Sequence, residues 1–177
     1  MTDMTFNTTG GIHEIPVADL GATGRLWLCG KHHIAPDTEG VRSGCGDAHV
    51  VCLVERFELE GRYDPYVEWL ERHAGTHATW FPIPDLTAPV LEEAHGLYER
   101  LSSMLLRGNN LVVHCAAGIG RAGTTATGVL MLLGMDMHDA IDRVRSHRPM
   151  AGPESGTQRE LIEELSAMLE FGRGWAT

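Results

Sequence analysis

The chain has 177 residues, 43% of them hydrophobic and 21% charged, which is enough for one well-filled core but hardly two. Its formal net charge of -10 argues against nucleic acid as a partner, and no apolar run is long enough to span a membrane. Four cysteines without metal-type pairing, and a polar, threonine-rich stretch from Met1 to Gly11 in place of a signal-like one, predict a reducing, cytoplasmic setting.

Residues 1–24 read as an N-terminal extension, 25–171 as one folded domain and 172–177 as a tail. Arg25 to Cys29 and His49 to Glu55 have the apolar, β-branched character of early strands. Between them, Lys31 to Gly46 reads as a long irregular loop, rich in Gly, Asp and His, placed to line the entrance of a site. Lys31, His32 and His33 invite a metal-ligand reading, but adjacent histidines are more often exposed loop residues, and no metal is expected. Pro65 to His73 predicts a helix and His77 to Phe81 another strand. A helix follows from about Ala88 to Arg107, with Leu91, Ala94, Leu97, Leu101 and Leu105 on one face. Leu111 to Val113 is a short buried strand, and Ala122 to Leu133 is an uncharged helix of small and apolar residues. Asp136 to His147 reads as a helix, and Gln158 falls in the first turn of a last one. The expected fold is α/β, a single domain with a central, mostly parallel sheet flanked by helices.

The segment His114-Cys-Ala-Ala-Gly-Ile-Gly-Arg-Ala-Gly-Thr124 joins the buried strand to the uncharged helix. Gly118 and Gly120 permit backbone conformations closed to other residues, so successive N–H groups of Ala116, Ala117, Gly118, Ile119 and Gly120 can point inward as an anion-binding nest. The N-terminal end of the helix adds its dipole. Beside that end and a guanidinium, Cys115 is expected to react as the thiolate. Arg121 supplies a planar fork for two phosphoryl oxygens, matched to the charge of a phosphoryl-transfer transition state. Thr124 can reach back and donate to the sulfur, or bond only to its own helix. His114 is expected to order the loop by hydrogen bonds. The chemistry needs no metal or cofactor.

Gly118-Ile-Gly120-Arg-Ala-Gly123 also fits the G-x-G-x-x-G dinucleotide pattern. That reading requires a second strand, ending in an acid, after the helix; another helix is predicted there, so it fails.

Cleavage of a phosphate ester needs a proton for the leaving oxygen. Trp80-Phe-Pro-Ile-Pro-Asp85-Leu leaves its strand through two prolines, which stop pairing and present Asp85 at the sheet edge. Asp85 lies 30 residues before Cys115, and a strand-helix-strand crossover brings both loops to the same edge. The alternative is an aspartate that merely caps the following helix. Surface acids such as Glu92, Glu93, Glu163 and Glu164 read as solvated helix faces, screened over about 8 Å at physiological salt.

These residues resemble the dual-specificity branch of the protein tyrosine phosphatases, most nearly the kinase-associated phosphatase type. The signature His-Cys-x5-Arg-x-Gly-Thr is matched in full at 114 to 124, and the likeness extends over roughly residues 25 to 170. The resemblance implies a cysteine-dependent phosphatase acting on phosphorylated protein side chains, phosphotyrosine and also phosphoserine or phosphothreonine, through a phospho-cysteine. It implies Cys115 as nucleophile, Arg121 as phosphate ligand, Thr124 as helper in the second step and Asp85 as general acid, then base. Gln158 stands where similar enzymes carry a glutamine that orients the hydrolytic water; a solvated residue is the alternative. Cys52 lies where some relatives hold a second cysteine that forms a protective disulfide with the nucleophile; a buried strand cysteine is the alternative. The family's substrate-clamping tyrosine segment has no counterpart here. Phosphoinositide-cleaving relatives tend to place lysines in the loop, whereas Ala116, Ala117 and Ile119 stand here, favouring a single phosphate on a protein over a polyphosphorylated head group. A phosphate-binding module without turnover and a sulfurtransferase are the competing classes, and neither needs Asp85 or Thr124.

Overall fold

The computed structural model describes residues 11–154 and 156–174. Five strands form one sheet in the order β1-β2-β5-β3-β4: Ile12–Ile15, Leu26–Gly30, Leu111–Cys115, His49–Cys52 and Ala78–Trp80. β1 runs antiparallel to β2, and all other neighbours are parallel. The mostly parallel sheet expected from the pattern is present, with β5 at its centre. All five β5 residues are buried, which is why this strand reads as a continuous apolar run and not as an alternation. The register sets Cys115 beside Gly30, and His114 between Cys29 and Cys52.

The helices are α1 Lys31–Ile34, α2 Thr38–Gly44, α3 Asp64–His73, α4 Leu91–Leu106, α5 Gly120–Leu132, α6 Met137–His147 and α7 Gly156–Gly174. α5 lies against β2 and β5 and touches α4, α6 and α7, so it is enclosed on all sides. Its small residues make that possible. A side chain at Gly123 would run into the Gly152 backbone, and one at Gly128 into the Tyr98 ring. α4 buries Ala94, Leu97, Leu101 and Leu105, the face predicted from its spacing. Among the described residues no strand follows α5, so the dinucleotide reading has no place in this fold.

Several expectations are corrected. Lys31 to Gly46 is not an irregular loop: it holds α1 and α2. Asp37 caps α2 through a bond from the Gly40 amide (3.0 Å), and Ile34 is fully buried, so a short helix pair anchored by one apolar side chain replaces the loop that Gly and Asp content predicted. The strand expected over His49 to Glu55 stops at Cys52, because Glu55 and Glu58 form a reciprocal capping box around a single 3-10 turn, Arg56–Glu58. The segment read as an N-terminal extension contributes β1 and the core side chains Ile15 and Val17; residues 1–10 lie outside the described residues. Of the segment read as a tail, 172–174 end α7, and 175–177 lie outside the described residues. No helix among the described residues is long and apolar enough to cross a membrane.

Candidate active site

Residues 115–121 turn from the end of β5 into α5, and the loop is shaped from outside. The Ala116 carbonyl accepts from the Lys31 amide (3.0 Å), Ala117 from Arg148 Nη2 (2.8 Å), Gly118 from Arg148 Nε (2.6 Å) and Ile119 from the Gly152 and Gly123 amides (3.2 and 2.9 Å). Four consecutive carbonyls are thus held outward, which turns the intervening N–H groups toward the centre of the ring. Gly118 has φ +72°, and a Cβ there would collide with the Cys29 carbonyl, so both backbone shape and space require glycine. Gly30 has the same role across the strand pair, where a Cβ would press on the Ala116 carbonyl. Cys115 is buried at the base of this ring.

Arg121 emerges from the first turn of α5 and is almost fully buried. Nη1 donates to Glu58 Oε2 (2.7 Å) and to the Ile83 carbonyl (2.8 Å), and Nη2 donates to Glu58 Oε1 (2.9 Å). This fork-to-fork pair fixes the guanidinium plane. Burial alone would push the Glu58 carboxyl up, but bonds from Arg121 and the Glu55 amide outweigh it and hold Glu58 below the usual carboxylate range. Asp85 Oδ1 lies 3.1 Å from the same Nη2, on a side chain 64% exposed. Asp85 therefore reaches the mouth of the loop from the opposite element, as the proline turn predicted. It does not cap α4, whose N-cap is Val90. Behind the Asp85 loop, Trp80, Phe81, Pro82, Ile83, Pro84, Pro89 and Glu93 line a cavity of about 390 Å³.

Thr124 is buried, and its Oγ1 has no hydrogen-bond partner among the described residues. It does not bond back to its helix. Thr127, one turn on, does so through the Gly123 carbonyl (2.8 Å). Gln158 is buried rather than solvated. Its Oε1 accepts from the Glu154 amide (2.9 Å) and its Nε2 donates to the Thr87 carbonyl (3.2 Å), which sets the amide against Gly120. The Glu154 carboxylate lies against Gly120 as well.

Behind the loop, His114 Nε2 is 2.6 Å from Tyr66 Oη, and its Nδ1 is 3.3 Å from the Cys115 carbonyl. Burial drives the His114 pKa down to about 4, so the ring is neutral at pH 7. A neutral ring that donates from Nδ1 accepts at Nε2, so Tyr66 donates to it, and the same hydroxyl lies within hydrogen-bond reach of the Cys52 sulfur. Burial pushes the Cys52 thiol up to about 12. All four cysteines are free. Cys52 pairs with His114 in the sheet, so strand alternation turns it away from Cys115, and a disulfide between the two would have to form across the pleat. Among the described residues no three His, Cys, Asp or Glu side chains are arranged to hold a metal, and His32 Nδ1 is 2.5 Å from Tyr63 Oη.

Two residues of the site escaped sequence reasoning. Glu58 sits in a charged stretch that reads as a solvated turn, and Arg148 sits beyond a helix end before Pro149. Each reaches the loop only through the fold, Glu58 from 63 residues away and Arg148 from 31 away at Ala117. The capping spacing of Glu55 and Glu58 was the one local signal.

The Sus scrofa cyclin-dependent kinase inhibitor 3 is 28% identical over 165 residues, covering 87% of this chain and 77% of that protein. The Homo sapiens dual specificity protein phosphatase 15 is 37% identical over 59 residues, covering 33% of this chain and 20% of that protein. Among solved structures, Tk-PTP in its active form superposes with a TM-score of 0.62 at 30% identity, covering 81% of this chain and 90% of that one. Kinase associated phosphatase with its catalytic-site cysteine changed to serine gives a TM-score of 0.74 at 23% identity over 90% of this chain and 96% of that one, a likeness of fold. Residues 28–164 match the family described as Swiss Army Knife protein, DSP-PTPase phosphatase domain, and the chain belongs to that family.

Proposed function

We propose that the protein is a cysteine-dependent phosphatase that hydrolyses phosphate monoesters on protein side chains through a phospho-cysteine at Cys115. The observation that carries the reading is the meeting of Asp85 and Arg121 at the mouth of a ring with its carbonyls held outward. A phosphate dianion entering the ring bonds the inward amides and takes over Arg121 Nη2 from Asp85, which frees the carboxyl. The Cys115 thiolate attacks phosphorus, the bond to the ester oxygen breaks, and Asp85 gives that oxygen its proton. In the second step Gln158 orients a water, Asp85 takes its proton, and the sulfur leaves while Thr124 donates to it. A buried hydroxyl without a partner among the described residues suits that last role, since it has a donor to spare.

The uncharged loop positions Ala116, Ala117 and Ile119, which offer no cation to a second phosphate, support a protein substrate. We assign the catalytic domain to about residues 25–171, and place the protein in a reducing cytoplasm, where a thiolate nucleophile survives. Nucleic acid and membrane are not expected partners at a net charge of -10.

The reading is tested by hydrolysis of a simple aryl phosphate in the presence of a metal chelator. Turnover that survives chelation and disappears in Cys115→Ser supports the thiolate route. Well-folded native protein without turnover would move the assignment to a module that only binds phosphorylated partners.

A further inference from the structure

Arg121 serves a phosphoryl group only while its fork points at it, and the plane of that fork is set by the bonds from Nη1 and Nη2 to the Glu58 carboxylate. Glu58 is placed no more accurately than its turn. That turn, Arg56–Glu58, is a single 3-10 turn with no buried residue, so core packing does not fix it. It is closed on itself by the box with Glu55, and Arg56 is engaged with Glu60, Glu71 and the Trp80 ring.

Toward β2 and the phosphate loop, Lys31 makes the tie. Its Nζ donates to the Glu58 carbonyl (2.9 Å) from a half-buried residue, and its own amide donates to the Ala116 carbonyl (3.0 Å). Apart from the bonds of Arg121 itself, no other hydrogen bond joins the turn to β2, α1 or the loop among the described residues. One residue thus has its backbone against the ring that receives the phosphate and its side chain on the turn that aims the arginine. The preceding Gly30 is packed onto the Ala116 carbonyl, which leaves the start of α1 little room to shift.

The residue type suits the task. Of the 14 Lys and Arg residues, Lys31 is the one lysine. A compact ammonium bonds a single carbonyl, whereas a guanidinium fork matches a carboxylate and would compete with Arg121 for Glu58. The charge still reaches that carboxylate. Against burial, which raises it, the bonds from Arg121 and the Glu55 amide and then the charges of Arg121 and Lys31 hold Glu58 low and ionised.

We infer that Lys31 is a positioning residue that locks the Glu58 turn to the phosphate loop and, through Glu58, fixes the direction in which Arg121 meets the phosphoryl group. For turnover this rests on the phosphatase reading; for anion binding it does not. Lys31 touches no reacting atom, so its whole effect passes through Glu58.

The test is a double-mutant cycle on orthovanadate binding and on kcat for an aryl phosphate, using Lys31→Met, Glu58→Gln and the two together. Lys31→Met keeps the length of the side chain and removes the donor. It is expected to weaken vanadate about tenfold and to lower kcat by a similar factor with KM changed less than threefold, because the fork is aimed at the transition state. In Glu58→Gln, where the fork is already broken, the same exchange should change either quantity by no more than about twofold. Lys31→Gln, uncharged and shorter, is read in the same way should Lys31→Met fail to fold. Vanadate binding that survives loss of Lys31 while the melting temperature falls would make it a packing residue and overturn the inference, as would losses that simply multiply in the double variant. A native protein that binds vanadate and turns over no ester loses the phosphatase reading, and the vanadate cycle alone then decides Lys31. A native protein that binds no vanadate overturns both.

Discussion

The two sides of the phosphate loop are built differently. At the back, the polar groups that shape the ring are bonded: Arg148 holds Ala117 and Gly118, the Lys31 and Gly152 amides hold Ala116 and Ile119, and Tyr66 links His114 to Cys52. At the front, Thr124 Oγ1 has no partner among the described residues, and Asp85 is mostly exposed on a contact with Arg121 that an entering anion would displace. Full satisfaction behind gives the loop one shape. Incomplete satisfaction in front leaves groups whose best partners belong to the reaction.

Front and back should therefore fail differently. Replacing Asp85 by Asn removes the proton donor and should lower kcat by about a thousandfold, while orthovanadate binds no more weakly, because the carboxylate no longer occupies Arg121 Nη2. Weakened vanadate binding in that variant would mean that Asp85 helps hold the anion. Replacing Arg148 by Met should act through the back, costing about 3 kcal/mol of stability as the loop carbonyls lose their donors, and weakening vanadate binding and turnover together. A melting curve unchanged from native would show that the loop keeps its shape without this residue.

The buried imidazole gives the back a pH signature. The His114 pKa is depressed in the folded state to about 4, so between the unfolded value of 6.5 and that point the unfolded chain binds the proton and the native chain does not. Stability should fall by roughly 3 kcal/mol as pH drops through that window, and His114→Asn should flatten the dependence. Parallel curves for the two proteins would assign the loss to other groups. The front hydroxyl is smaller in effect: Thr124→Ala should slow turnover by about tenfold to a hundredfold, the worth of one hydrogen bond to a charged sulfur, with no loss of thermal stability. A variant that melts earlier with unaltered kcat would make Thr124 a packing residue. Least of all, Cys52→Ser should leave recovery from mild peroxide unchanged, since Cys52 shares the sheet face of its partner His114 and not that of Cys115. Recovery lost in that variant would show that the two cysteines do meet.

The front was largely legible in the sequence and the back was not, and the reason is range. Cys115, Arg121, Thr124 and the loop glycines lie within ten residues and carry their own geometry, and the two prolines before Asp85 announce a turn. α4 and α5 were legible because one apolar face and one run of small residues persist over several turns. Glu58 and Arg148 have no such local pattern: each looks like one more surface charge until the sheet brings the 3-10 turn and the end of α6 to the loop. α1, α2 and β1 were missed because each is short and set by a cap or a sheet neighbour rather than by periodicity.

The central claim is that Cys115 carries the phosphoryl group between the two steps. The direct measurement is to mix Thr124→Ala, in which release of the sulfur is slowed, with an aryl phosphate, quench in acid, and weigh the peptide that contains Cys115. The account predicts that this peptide gains the mass of one phosphoryl group, and that Cys115→Ser under the same conditions does not. Turnover of the ester with no phosphoryl group ever found on Cys115 would contradict it.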